Sequence, residues 1–267
     1  MISLNLFHDF MFATIGIIAG LLAGIFGIGG GLVVVPGLLF VFERLDIIPP
    51  TMYMQVAAGS SLAVMVITSL SSIKAHHKLS TVKWSAFQPL WPGIMLGTIG
   101  GAVLAQWIPT YWLQIFFALF LIVVAIKMWS GRHLTHQERN VPALINFLVS
   151  SLIGLKSGLL GVGGGLLLIP YLTYRGIPAR QIAPLTNLCT LTVGFIGALS
   201  FMITGYTATT FLAGMTGYVY WPAVCWIALF SSFLAPVGAR LSYQLPLTIL
   251  RYGFIIILLI TAIRLLF

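Results

Sequence analysis

Acidic side chains are almost missing from this chain. Of 267 residues, only Asp9, Glu43, Asp46 and Glu138 carry a carboxylate, and all four fall in loops or at the ends of apolar runs. Proton- and sodium-coupled carriers commonly place acids at membrane depth, so a carboxylate relay there is not expected. Charge of either sign is scarce too, at 6% of residues, where a soluble domain carries about a quarter. The polar surface needed to cover a water-soluble globule is absent. The two cysteines, Cys189 and Cys225, lie apart in apolar runs and form no C-x-x-C pair. They read as buried structural thiols. No Ser/His/Asp or paired-carboxylate arrangement falls in the apolar runs, so no enzyme chemistry is expected. His76 with His77, and His133 with His136, sit in basic loops without Cys or acid partners at metal spacing, so neither a metal site nor a cofactor is expected. The opening "MISLNLFHDFMF" has no Lys or Arg and lacks the basic start of a signal peptide.

What is present is hydrophobicity: 60% of residues, in runs that recur along the whole chain. Apolar segments fall at roughly 10–42, 53–73, 84–107, 110–130, 141–174, 181–204, 208–239 and 245–267. Runs of about 20 apolar residues span a bilayer. The sequence therefore predicts an all-α polytopic membrane protein with short loops. The net charge of +9 comes from Lys and Arg in short connections between segments. That placement fits positive-inside topology and argues against nucleic acid as a partner.

The chain repeats itself. "GIFGIGGGLVVVP" (Gly24 to Pro36) returns as "GLLGVGGGLLLIP" (Gly158 to Pro170), shifted by 134. "AAGSSL" at Ala57 resembles "APLTNL" at Ala183, "WP" recurs at Trp91 and Trp221, and "AIK" at Ala125 resembles "AIR" at Ala262. The marks keep their order, which predicts two repeats, 1–140 and 141–267. Duplicated halves are a common build of secondary transporters.

Loop charge chooses between two topologies. If all eight segments cross, the Lys and Arg residues divide seven inside and five outside. If the long first segment of each half is a re-entrant hairpin followed by three crossings, the second half is inverted relative to the first. The division becomes ten to two, with only Arg44 and Arg264 on the outer face and Lys156 within the membrane. The positive-inside rule favours the inverted, re-entrant arrangement.

The triple glycines explain why those first segments break. Non-helical backbone at membrane depth must bond to protein or line a wet cavity, and glycine lets a ligand approach the main chain closely. The half-helix after the break begins with free N–H groups and partial positive charge, a ready anion site. Two such starts facing each other would hold one anion, framed by Gly27, Gly29, Gly30 and Gly31 and by Gly161, Gly163, Gly164 and Gly165. Gln55, Ser60, Ser61, Thr186 and Asn187 follow the hairpins and offer hydroxyl and amide donors. Lys156 is the one cation deep in an apolar run; it reads either as a ligand or as a side chain snorkelling to the inner face. A packing role competes for the glycines, because Gly20/Gly24, Gly27/Gly31, Gly97/Gly101 and Gly154/Gly158 fit G-x-x-x-G spacing.

"GLLAGIFGIGGGLVVVP" and "SGLLGVGGGLLLIP", with the terminal "LPLTILRYGFIIILLITAIRLL", resemble the sulfite exporter TauE/SafE family of membrane permeases over nearly the whole chain. The resemblance implies transport of a small sulfur-containing anion, of the sulfite, sulfonate or sulfoacetate class, across the bacterial inner membrane. It carries the glycine positions over as the frame of the site. Lys156 departs from the repeat, since its partner is Leu22. An anion channel or facilitator, or a permease for another small organic anion, is the alternative reading. Direction, coupling ion and assembly into a homo-oligomer stay open.

Overall fold

The computed structural model describes residues 2–26, 29–77, 84–130, 141–209, 213–244 and 247–266. These fold as an all-α bundle with one small two-stranded hairpin. The helices are α1 (Ile2–Phe26), α2 (Gly31–Leu45), α3 (Tyr53–His77), α4 (Trp84–Phe87), α5 (Trp91–Trp107) and α6 (Thr110–Ser130), then α7 (Ala143–Leu160), α8 (Gly165–Tyr174), α9 (Ala179–Thr204), α10 (Trp221–Gln244) and α11 (Leu247–Leu266). Six helical stretches among the described residues are long and apolar enough to cross a membrane: Phe7–Phe26, Pro50–Lys74, Thr110–Trp129, Ala143–Leu160, Gln181–Thr204 and Trp221–Leu241.

Polarity is arranged for lipid. Ile126, Leu152, Ile203 and Phe233 stand exposed on the outside, while Ser60, Ser61, Thr68, Ser69, Ser72, Thr186, Asn187 and Thr190 are buried in α3 and α9. Exposed Trp91 and Trp107 sit at the two ends of α5, as Trp112 and Trp129 do on α6. At 1.5 Å per residue each pair is ~25 Å apart, close to hydrocarbon thickness, so the rings mark two interfacial belts.

Both glycine-rich segments break where the triple glycines fall, and the chain reverses there. Gly30 packs on Ala19 and Gly37 on Ile15, while Phe12 of α1 and Phe42 of α2 both meet the Tyr220 ring. α2 therefore returns alongside α1. In the second segment Gly164 lies against Ile153 and Ser157, and the Tyr171 hydroxyl donates to Asn146 Oδ1 at 2.6 Å, so α8 returns alongside α7. α1 and α7 are long enough to cross, but α8, with 10 residues, extends only ~15 Å.

Helix directions follow from the contacts. α3 and α9, which carry the repeated small-polar stretches, run antiparallel: Gly194 lies on Leu62, and Asn187 Nδ2 donates to Ser72 Oγ at 2.9 Å. α6 and α11, which carry "AIK" and "AIR", run antiparallel too, with Trp129 near the end of α6 on Tyr252 near the start of α11, and Gln114 and Arg264, at the opposite ends, lining one groove. The hairpin arms pair with the later helices of the other half. Gly16, Gly20 and Gly24 of α1 sit on the backbone of Ile227, Ser231 and Ala235 in α10. Gly93, Gly97 and Gly101 of α5 sit on Phe147, Ser151 and Leu155 of α7, with Gly154 and Gly158 on Ile94 and Thr98. These are the close approaches that G-x-x-x-G spacing permits. Packing glycines and break glycines are thus adjacent sets, and Gly161 belongs to both, since it takes positive φ and sits on the Ala58 backbone.

Two predicted boundaries shift. The segment at 208–239 is not one helix: Met215–Thr216 pairs with Val219–Tyr220 as a β-hairpin before α10. Gly214 and Gly217 take positive φ there, which a continuing helix cannot use. The segment at 84–107 is interrupted after α4 and restarts at Trp91, with Pro92 in the first turn, a position proline favours.

Traced this way, α1 starts, α2 ends and α11 ends at one face of the bundle, with Arg44 and Arg264. α3, α6, α8 and α10 end at the other, with Lys74, Lys127, Arg175 and Arg240. By the positive-inside rule that second face is the one expected to be cytoplasmic. Cysteines placed at Arg44 and Arg175 should react with a membrane-impermeant maleimide from opposite sides in oriented vesicles; labelling from the same side would overturn the trace.

Candidate functional site

The two breaks meet near the middle of the bundle. A Cβ built on Gly31 would come 2.9 Å from the Gly161 carbonyl oxygen, 3.1 Å from Val162 Cα and 3.1 Å from Met65 Sδ. One built on Gly29 would strike the Thr190 methyl and lie 3.2 Å from the same sulfur. Met65 and Thr190 lie near the midpoints of α3 and α9. Gly29 and Gly30 take φ of 76° and 79°, and Gly161 takes 68°, conformations that glycine enters without steric cost.

The electrostatics at the crossing come from helix ends. Gly30 and Gly164 are the N-cap residues of α2 and α8, and no side chain caps either. The first N–H groups of a helix have no partner within it and carry its partial positive charge. The opposing element is the C-terminal end of α7, where carbonyls accumulate negative charge. There the Ser61 hydroxyl donates to Gly161 O at 2.9 Å, which ties α3 to the break and quenches that carbonyl.

Of the residues anticipated from sequence, Gly29, Gly30, Gly31, Gly161 and Ser61 come together at this crossing, and Gly163, Gly164 and Gly165 complete the second break. Gly27 lies outside the described residues. Gln55 is elsewhere: its Nε2 donates to Ile108 O at 3.0 Å, and its Oε1 accepts from the Thr110 hydroxyl at 2.9 Å. These bonds lock the start of α3 to the α5–α6 corner. Ser60 Oγ accepts the Tyr220 N–H at 2.9 Å, anchoring the β-hairpin. Thr186 bonds Ala183 O at 2.9 Å within α9. Asn187 reaches Ser72 and keeps Oδ1 buried without a partner. Lys156 does not reach the membrane surface. Its Nζ lies 4.3 Å from the centroid of Phe120, at mid-length of α6, buried and without a hydrogen-bond partner.

Sequence reasoning missed Met65 and Thr190. Met65 carries no polar signal. Thr190 lies two residues beyond the "APLTNL" mark, and only the fold turns it onto Gly29. Its hydroxyl is buried with no protein partner. The cations His133, His136, Lys78, Lys83, Arg132 and Arg139 lie outside the described residues. Among the described residues no three His, Cys, Asp or Glu side chains cluster as metal ligands.

An apolar exterior, a polar centre and two broken helices meeting at mid-depth define a polytopic helical membrane protein of the transporter class. The chain belongs to the sulfite exporter TauE/SafE family, whose profile matches residues 12–265. A "Probable membrane transporter protein" of Haemophilus influenzae is 34% identical over 251 residues, covering 94% of this chain and 95% of that protein. One from Methanocaldococcus jannaschii is 30% identical over 214 residues, 77% and 73% of the two chains. YunE of Bacillus subtilis, named likewise, is 26% identical over 216 residues, 72% and 78%. No solved structure matches the chain. The protein is a membrane transporter, not an enzyme.

Proposed function

We propose that the protein carries a small sulfur-containing anion, of the sulfite, sulfonate or sulfoacetate class, held between the α2 and α8 N-termini where the glycine breaks meet. The observation that carries this reading is the approach of Gly31 to Gly161, which brings the two breaks side by side with no side chain between them. An anion there finds main-chain N–H donors and no carboxylate among the described residues. Thr190, whose methyl lies against Gly29, keeps a buried hydroxyl with no protein partner. Lys156, five residues before Gly161 and buried against Phe120, adds positive potential from the α6 side when protonated. Gln55, Ser60 and Thr186, whose bonds go to neighbouring backbone or side chains, belong to the frame. Residues 1–140 and 141–267 act as inverted repeats that alternate access by rocking. The antiparallel runs of α3 with α9 and of α6 with α11 support that division.

The test is flux in proteoliposomes of sulfite, thiosulfate, sulfoacetate and chloride. Saturable flux of a sulfur anion, with trans-stimulation, is expected. No saturable flux of any sulfur anion would withdraw the substrate class, and unsaturable flux without trans-stimulation would favour a channel. Thr190→Val keeps the shape and removes the hydroxyl. It should raise KM roughly tenfold at unchanged thermal stability, the worth of one hydrogen bond to a charged group. An unaltered KM would remove Thr190 from the site.

A further inference from the structure

A groove of about 860 Å³ separates the α1–α2 hairpin from the antiparallel pair α6 and α11. Its inner end reaches Ile18 and Leu32, next to Gly31 of the glycine crossing, and its length runs away from that crossing along α1, α2 and α11. Its walls are apolar, formed by Ile18, Val33, Ile257 and Ile260 among others. The polar groups, two threonines apart, gather at the end that opens on the Arg44 face: Glu43, Arg264, Tyr111 and Gln114.

The mouth is organised around one ring. The Arg264 guanidinium lies 4.1 Å from the centroid of Phe40 and that of Arg44 lies 5.7 Å from it. Arg264 also pairs with Glu43 at 3.6 Å. That long contact engages only a fraction of the five N–H donors a guanidinium presents. Arg44 and Arg264 are also the two cations that the positive-inside rule does not account for. Arg264 lines the mouth of the groove, and Arg44 stands beside it at the same Phe40 ring.

We infer that the groove is a binding site for one phospholipid with an anionic headgroup, an acyl chain between the hairpin and the α6–α11 pair and the phosphate on Arg264 and Arg44. An aqueous anion is a poor occupant, since apolar walls would strip its hydration and return no donors. A lipid matches both parts of the site: burial of its methylenes along the walls and a charge-assisted, forked contact at the mouth. The two halves differ here: Ile257, on the wall, corresponds to Phe120 in the repeat, and Lys156 Nζ lies on that ring.

The test needs no transport substrate, so it stands or falls apart from the proposed function. Purified protein in mild detergent is titrated with phosphatidylglycerol, phosphatidylcholine and glycerol phosphate, reading thermal stability and lipid adducts by native mass spectrometry. Phosphatidylglycerol should bind one per chain and raise Tm by a few degrees, as a ligand specific to the folded state does. The other two should have little effect. Arg44→Ala and Arg264→Ala should each weaken binding roughly fivefold, and Ile260→Trp, which fills the groove from its lipid-facing rim, should abolish the adduct while the protein stays folded. Equal stabilisation by phosphatidylcholine, the same effect from glycerol phosphate alone, or an adduct that survives both arginine changes would each overturn the inference. So would a spectrum in which a protein dimer takes the place of the lipid adduct.

Discussion

Gly31→Val is expected to lower saturable anion flux at least a hundredfold while the protein still inserts and purifies. Gly31 is the first residue of α2 and has no positive φ, so valine is not forced into a strained backbone there. What the new side chain meets is the other break: the Gly161 oxygen at 2.9 Å and Val162 Cα at 3.1 Å from its first carbon. Both are backbone atoms and cannot turn aside. Met65 Sδ at 3.1 Å can yield, because a thioether is adaptable. The hairpin tips must separate, and the N–H groups of α2 then point at protein instead of at a shared centre. A helix-terminus anion site depends on donors aimed at one point, so small displacements there cost most of the binding. Flux of sulfite and thiosulfate, with yield and Tm as controls, makes the measurement. Wild-type flux from a folded Gly31→Val protein would show that the breaks need not touch.

The second large effect is on folding. Gly101→Leu should lose most of the folded protein, by about 3 kcal/mol or more, and Gly100→Leu should be close to silent. A Cβ on Gly101 would be driven into the Leu155 carbonyl and lie 2.7 Å from the Leu159 nitrogen, whereas one on Gly100 meets nothing within 4 Å. Neighbours on one helix point 100° apart, so one faces α7 and the other faces lipid. Overpacking against backbone cannot be relieved by rotamers, and in lipid no hydrophobic gain compensates for separating two helices. Comparing the two leucine variants by size-exclusion profile and thermal unfolding cancels the shared loss of glycine. Equal behaviour would mean that α5 and α7 are not held at this distance.

Much of the fold was legible because membrane sequences follow few rules. The apolar runs gave the helices, and the duplicated triple glycines marked both breaks. Cation placement separated Arg44 and Arg264 from the rest before any geometry was known. Other features were not legible, for identifiable reasons. The β-hairpin at Met215–Tyr220 is apolar and reads as the start of a helix; the positive φ of Gly214 and Gly217 is invisible to hydropathy. The destination of Gln55 was hidden because an amide in an apolar run looks alike whether it serves a ligand or a neighbouring backbone. Thr190 was missed because its importance comes from the register of α9 against Gly29. Glycine itself was ambiguous: Gly24 and Gly29 are five residues apart, yet one serves packing and the other serves the break.

The exchange of partners between halves has a consequence for synthesis. α7 finds α5 already made when it leaves the ribosome. α1 does not find α10 until about 200 further residues have been translated, roughly 10–40 s at common elongation rates. During that wait the glycine-lined face of α1 has no mate, and the insertion machinery or the lipid must shelter it. A ribosomal pause or truncation before Ile227 would leave that surface orphaned and open to quality-control proteolysis. By the same logic, the two halves expressed as separate polypeptides should each be degraded alone and survive only when made together.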